Sequence, residues 1–133
     1  MARMLRVKCK CGEVLNVYPG SVCPECKQPF EIPPDGMISL YRMGSPLGVA
    51  GGFGIYIDGE PMGYIGNRET IHIPLPYGEH NIHVAVGMSR SCTDLRVNLT
   101  PNNRIAYAKV RIKPGFWANS FVVEPSTAAE MPL

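Results

Sequence analysis

From residue 37 onward, apolar side chains recur at every second position, in short runs broken by turn residues. Phe53, Ile55 and Ile57 fall on one face of an extended chain, and Ile71, Ile73 and Leu75 on another such face. Ile82, Val84 and Val86 repeat the pattern, followed by Leu95, Val97 and Leu99 and by Ala106, Ala108, Val110 and Ile112. A period of two is the signature of half-buried strands, whose successive side chains point to opposite faces. The alternate positions carry His72, His83, Arg96, Lys109 and Arg111, as a solvated face should. Strands are expected over 37–43, 53–57, 62–65, 69–75, 80–86, 94–99, 104–112 and 120–124. The segment "DGEP" reads as a hairpin turn with Asp58-Gly59 at its tip, and "PYGE" and "TPNN" lie between the next strands. Eight short strands with frequent turns predict an all-β chain, built as an antiparallel β-sandwich or a small barrel.

Residues 1–33 follow a different pattern. Four of the five cysteines lie here, as Cys9-x-Cys11 and Cys23-x-x-Cys26. The two halves repeat: Leu15 and Val17 follow Cys11 at the offsets at which Phe30 and Ile32 follow Cys26. Each half therefore reads as a tight turn carrying two thiols and then a strand. Two such turns can set four sulfurs tetrahedrally about one zinc ion, roughly 2.3 Å from each. A shell of four thiolates leaves no open position, so the expected metal is structural rather than catalytic. So few residues cannot bury a core alone, and metal binding supplies the missing folding free energy.

Residues 5–33 resemble a short bacterial zinc ribbon of the pattern C-x-C-G…C-P-x-C. Two departures stand out: a first pair separated by one residue, and Lys27 where a second knuckle often has glycine. Further on, "IYIDGEPMGYI" and "IPLPYGEHNIHVAVG" are similar to PEGA-type domains, over about 38–113. That resemblance implies an immunoglobulin- or transthyretin-like sandwich without catalytic residues, appended to other modules as an adaptor. The expected organisation is a zinc ribbon over 1–33, a linker over 34–37, a PEGA-like sandwich over 38–125 and a flexible tail over 126–133. His80 matches the histidine of the family pattern and is expected to be a packing or turn residue.

The 133-residue chain has a net charge of +2, divided unevenly. Residues 1–30 hold five bases against two acids, a net of +3, and the remainder is at −1. Arg3, Arg6, Lys8 and Lys10 form a basic edge on the ribbon. Zinc with four thiolates is itself −2, so part of that charge offsets the metal centre. Protein binding is therefore the expected function, with nucleic-acid binding through the ribbon as the alternative. No apolar window approaches the roughly 20 residues of a membrane span, and the expected location is cytoplasmic.

Other candidate chemistry is sparse. The glycine-rich stretch 44–54 lacks the G-K-[ST] of a phosphate loop and reads as a loop able to meet a partner. Phe116 and Trp117 follow a Pro-Gly turn, either as a partner contact or as a plug for one end of the sandwich. If the strands either side of "PYGE" pair as a hairpin, Ile73 meets Ile82 and His72 meets His83, an exposed pair with no third ligand evident. Cys92 has no cysteine left to pair with and reads as a small buried thiol. No catalytic signature survives the strand assignment, and no enzymatic activity is expected.

Overall fold

The computed structural model describes residues 4–30, 32–33, 35–43, 52–85, 92–113 and 120–130. Among them the chain is all-β, apart from one 3-10 turn at Ala128–Glu130. Strands β1 (Leu5–Lys8) and β2 (Val14–Val17) form an antiparallel hairpin. Nine more follow: β3 (Gly36–Arg42), β4 (Phe53–Ile57), β5 (Glu60–Ile65), β6 (Thr70–Leu75), β7 (Gly78–Ala85), β8 (Cys92–Thr93), β9 (Leu95–Leu99), β10 (Ile105–Lys113) and β11 (Ser120–Pro125). They make a five-stranded sheet in the order β6-β3-β10-β11-β8 and a four-stranded sheet in the order β5-β4-β7-β9. All the expected sandwich strands are present within a residue or two of their expected ends; β8 is an addition.

The alternating apolar rows meet between the two sheets. Ile38, Leu40, Ile71, Ile73, Ala108 and Val110 come from the first sheet, and Phe53, Ile55, Ile57, Ile82 and Val84 from the second. At about 25 cal/mol per Å² of apolar surface, burying each Ile or Val here contributes on the order of 1.5–3 kcal/mol. Phe53 and Phe121 meet edge-on, 4.9 Å apart, and the guanidinium of Arg42 lies 3.5 Å over the Phe53 ring. Arg42 shares its parity with Ile38 and Leu40, which carries it into the core. There its Nη1 donates to the Ile65 carbonyl at 3.1 Å.

The pairing differs from expectation in two ways, at "PYGE" and in strand direction. The "DGEP" hairpin forms as read: Asp58 and Gly59 have φ of 54° and 83°, the two positive values of a type I′ turn. The "PYGE" and "TPNN" segments instead carry the chain from one sheet to the other, since β6 and β7, like β9 and β10, lie in different sheets. Parity explains the error. Strands side by side in a sheet and strands stacked across a core present the same alternating pattern, so alternation alone does not separate them. Lastly, the larger sheet is mixed, because β3 runs parallel to β10 and β8 parallel to β11.

The sandwich has two open sides. On one lie the edge strands β5 and β6, and on the other β8 and β9. The β1–β2 hairpin lies across the first side, with β1 against both β6 and β5. Unpaired edges are prone to recruit other chains, and a covering element removes that risk.

Candidate metal centre

The four ribbon cysteines converge. Cys9 Sγ lies 3.3 Å from Cys26 Sγ, and Cys11 Sγ lies 3.7 Å from Cys23 Sγ. All four sulfurs lie within 4.8 Å of one another and can hold a metal ion. Bonds of about 2.3 Å to one zinc require tetrahedral edges of about 3.8 Å, so the thiols need shift only slightly. A disulfide would bring a pair to about 2.05 Å, and none is formed.

The repeat seen in the sequence is a repeat of backbone hydrogen bonds. In the first knuckle, Cys9 N–H donates to Glu13 O at 2.7 Å, and Cys9 O accepts from Gly12 N–H at 2.9 Å. In the second, Cys23 N–H donates to Gln28 O and Cys23 O accepts from Lys27 N–H, both at 2.9 Å. Each bond in the second knuckle spans one residue more, which is the difference between C-x-C and C-x-x-C. The residue after each second cysteine has positive φ: 101° at Gly12 and 63° at Lys27. Glycine accepts this at no steric cost, whereas lysine does not. Lys27 Nζ donates to the Pro24 carbonyl at 2.7 Å, partly offsetting the strain. In place of a second strand there is a single bridge between Val22 and Pro29.

The sulfurs perturb one another's ionisation. The Cys11 backbone N–H, then the Cys26 thiol, bring Cys9 down to about 7. The Glu13 N–H favours the Cys11 thiolate, but burial and the neighbouring thiols outweigh it and push Cys11 up to about 12. At Cys26 the Gln28 N–H is likewise outweighed, by Cys9 and by burial, and the thiol rises. Four thiols this close cannot all ionise in the absence of a cation. A divalent metal relieves that repulsion and releases protons as it binds.

Of the basic edge expected on the ribbon, Arg6 is turned inward whereas Lys8 and Lys10 are exposed. Arg6 is only 7% exposed. Its Nε donates to Asn16 Oδ1 at 2.6 Å, and its Nη1 to the carbonyls of Met62 and Tyr64 at 3.0 and 2.8 Å. Those carbonyls converge because β5 is bulged. Gly54 faces Tyr64 and Tyr56 faces Pro61, so Met62 and Gly63 together oppose Ile55. Gly63 has φ of 80°, and a Cβ there would lie 2.9 Å from Arg6 Nη1. Burial lowers the Arg6 pKa, with the charge of Glu69 acting against that. Lys8 pairs with Glu60 at 3.7 Å, while Arg3 lies outside the described residues. Nothing in the alternation marks Arg6 as buried; D-G-x-x-x-G, with its second glycine at Gly63, was the available hint of a bulge.

His72 and His83 are not arranged as expected, whereas His80 is the expected packing and turn residue. His72 and His83 lie in different sheets and do not pair. His72 Nδ1 meets Ser39 Oγ at 2.8 Å, and His83 Nδ1 meets Asp94 Oδ1 at 2.6 Å. His80 is buried, with Nδ1 2.7 Å from Asp58 Oδ2 and Nε2 2.8 Å from the Pro76 carbonyl. It ties the type I′ turn to the corner between the sheets. Cys92 is half-buried, and burial, with Asp94 nearby, raises its thiol to about 11, the reverse of an activated nucleophile. Phe116 and Trp117 lie outside the described residues, as does nearly all of 44–54. Among the described residues no helix is long and apolar enough to cross a membrane.

No family model matches this chain, and comparisons with curated proteins and with solved structures return no match. What defines its class is the architecture itself: an all-β sandwich with a four-cysteine, metal-competent hairpin module on one open side.

Proposed function

We propose that this chain is a non-catalytic, zinc-containing binding or adaptor module whose partner is another protein. Four cysteine thiols suit zinc, and a fourfold thiolate shell gives the ion a structural role. The zinc ribbon and PEGA-like readings of the sequence belong to this proposal. The observation that carries it is the surface around the ribbon. Arg6 is spent on internal carbonyls, while Tyr18 and Val22 on the ribbon are each 51% exposed and Tyr64 on β5 is 69% exposed. Aromatic and apolar side chains held on a rigid β scaffold are the usual anchors of protein interfaces.

Nucleic-acid binding is the second reading. It draws on a cavity of about 340 Å³ beside Cys9 and Cys26, which Lys8 and Lys10 help to line. One experiment separates the two. Zinc-loaded protein is used to capture partners from its native cell, alongside a Tyr18→Ala, Tyr64→Ala variant. It is also titrated with defined DNA and RNA at about 150 mM salt, where phosphate-driven binding is already weakened. A protein retained by the parent and lost by the variant supports the proposal. Micromolar or tighter nucleic-acid binding, abolished by Arg3→Glu, Lys8→Glu and Lys10→Glu together, overturns it.

A further inference from the structure

The side of the sandwich away from the ribbon carries a second group of ligand-type side chains. The chain leaves β8 in the larger sheet at Thr93 and enters β9 in the smaller sheet at Leu95. Asp94 is the single residue of that crossing. Cys92 and Asp94 are two residues apart on nearly extended chain, the spacing that sends side chains the same way. The β7–β9 ladder pairs Asn81 with Arg96 and Ile82 with Leu95. Continued by one step, the register places His83 opposite Asp94. Three elements thus deliver an imidazole, a thiol and a carboxylate to one point.

The geometry suits a metal. One donor atom from each of His83, Cys92 and Asp94 lies within 4.8 Å of the other two. His83 Nδ1 and Asp94 Oδ1 are 2.6 Å apart, sharing a proton where a cation would sit between them. Zinc bonds of about 2.0–2.1 Å to nitrogen and oxygen need donors about 3.3 Å apart, a small opening. The side chains of His83 and Asp94 are 27% and 38% exposed, which leaves room for that rotation. Asn81 Nδ2 donates to the other carboxylate oxygen, Asp94 Oδ2, at 3.1 Å, and the Tyr56 ring lies 5.9 Å from that of His83. A ligating carboxylate oriented by an amide and an imidazole held beside a ring are the kind of outer support that fixes metal ligands.

We propose that His83, Cys92 and Asp94 form a second site for a zinc-class divalent cation, separate from the four-cysteine centre. A thiolate and a carboxylate with a neutral imidazole balance the charge of a 2+ ion. The mixture of sulfur, nitrogen and oxygen favours zinc over calcium or magnesium, which take oxygen alone. Three protein ligands leave a fourth position open to water or to a ligand brought by another molecule. The two centres thus differ in kind, one closed and one exchangeable.

Cobalt(II) distinguishes them, because a four-thiolate site has much stronger sulfur-to-metal charge-transfer absorption than a one-thiolate site. Reduced full-length protein, free of metal, is titrated anaerobically with cobalt and followed by absorption. About two equivalents are expected, the first with the four-thiolate spectrum and the second with a weaker band. Cys92→Ser and His83→Ala should each remove the second step and leave the first unchanged. Asp94→Asn, which replaces a charged ligand with a neutral one, should weaken it by at least the roughly 10–100-fold that loss of an outer-shell partner costs. Persistence of the four-thiolate spectrum shows that the ribbon is intact, and an unchanged thermal transition of the sandwich, followed by circular dichroism, shows that each variant is folded where it is altered. A single equivalent in the parent protein overturns the proposal, as does a second equivalent that survives both Cys92→Ser and His83→Ala.

Discussion

Gly63→Ala is the substitution that most directly tests how the ribbon is held. The new methyl would lie 2.9 Å from Arg6 Nη1 and 3.4 Å from Val14 Cγ1. The guanidinium cannot easily move aside, because three hydrogen bonds of 2.6–3.0 Å fix it in a buried position. Placing a side chain at φ of 80° adds backbone strain of about 1–2 kcal/mol, and the overpacking adds about 1–3 kcal/mol. A loss of about 2–5 kcal/mol is therefore expected. Arg6→Ala should cost about 3–5 kcal/mol, because it strips charged donors from carbonyls that remain buried. The two effects should not add. Once Arg6 is truncated the methyl has room, so the double variant should be less destabilised than the sum by about 1–2 kcal/mol. Urea unfolding of the zinc-loaded full-length proteins measures all four corners of the cycle. Additivity within about 0.5 kcal/mol would refute the clamp.

Other outcomes follow from the same coordinates. Residues 36–133 alone should unfold cooperatively, because the core cluster draws only on Ile38 to Val123; calorimetry on that fragment checks it. Cys23→Ser in the full chain, or chelation of its metal, should abolish ribbon structure and leave most of that transition, as seen by NMR. Lys27→Gly should relieve left-handed strain and stabilise the zinc-loaded ribbon by about 1 kcal/mol, whereas Gly12→Ala should destabilise it by a similar amount or more. The Asp58 carboxyl is partly desolvated, but bonds to His80 and to the Asn81 N–H outweigh that and hold it below its ordinary range. Its contribution is thus present above the unfolded carboxylate value, about 3.9, and is lost as pH falls through the lower folded value. Asp58→Asn should keep the turn, cost about 0.5–1 kcal/mol at neutral pH, and flatten the acid limb of the stability curve.

How much of this was legible depended on whether the signal was local. The strands, the inward rows and the type I′ turn are written in neighbouring residues, and Phe53–Ile57 appears at its expected bounds. The four cysteines were equally plain, since ligand spacing is a local property. Partnership across the core was not: Ile73 and Ile82 face the same interior from opposite sheets. That one ambiguity produced the spurious His72–His83 pair and concealed the neighbour that His83 does have, Asp94. Arg6 escaped for a related reason. Two of its three partners are carbonyls more than fifty residues away, and a backbone acceptor has no letter in the sequence.

The clamp also links the metal to the sandwich. Arg6 stands three residues before Cys9, in a strand of four residues paired only with β2. A two-stranded hairpin is marginal on its own in water, so β1 depends on the knuckle that the proposed metal would close and on the sandwich it covers. Zinc loss should therefore act at a distance. The knuckle opens, the hairpin frays, Arg6 leaves the Met62 and Tyr64 carbonyls, and the edges of β5 and β6 become accessible. Exposed edges pair with other chains. Chelated protein should self-associate in proportion to its concentration while the sandwich core stays folded, measurable by light scattering alongside circular dichroism. Arg6→Ala should associate even with zinc bound, since it breaks the link downstream of the metal. Monomeric, chelated protein with its β-sheet signal intact would show that something other than the ribbon protects those edges.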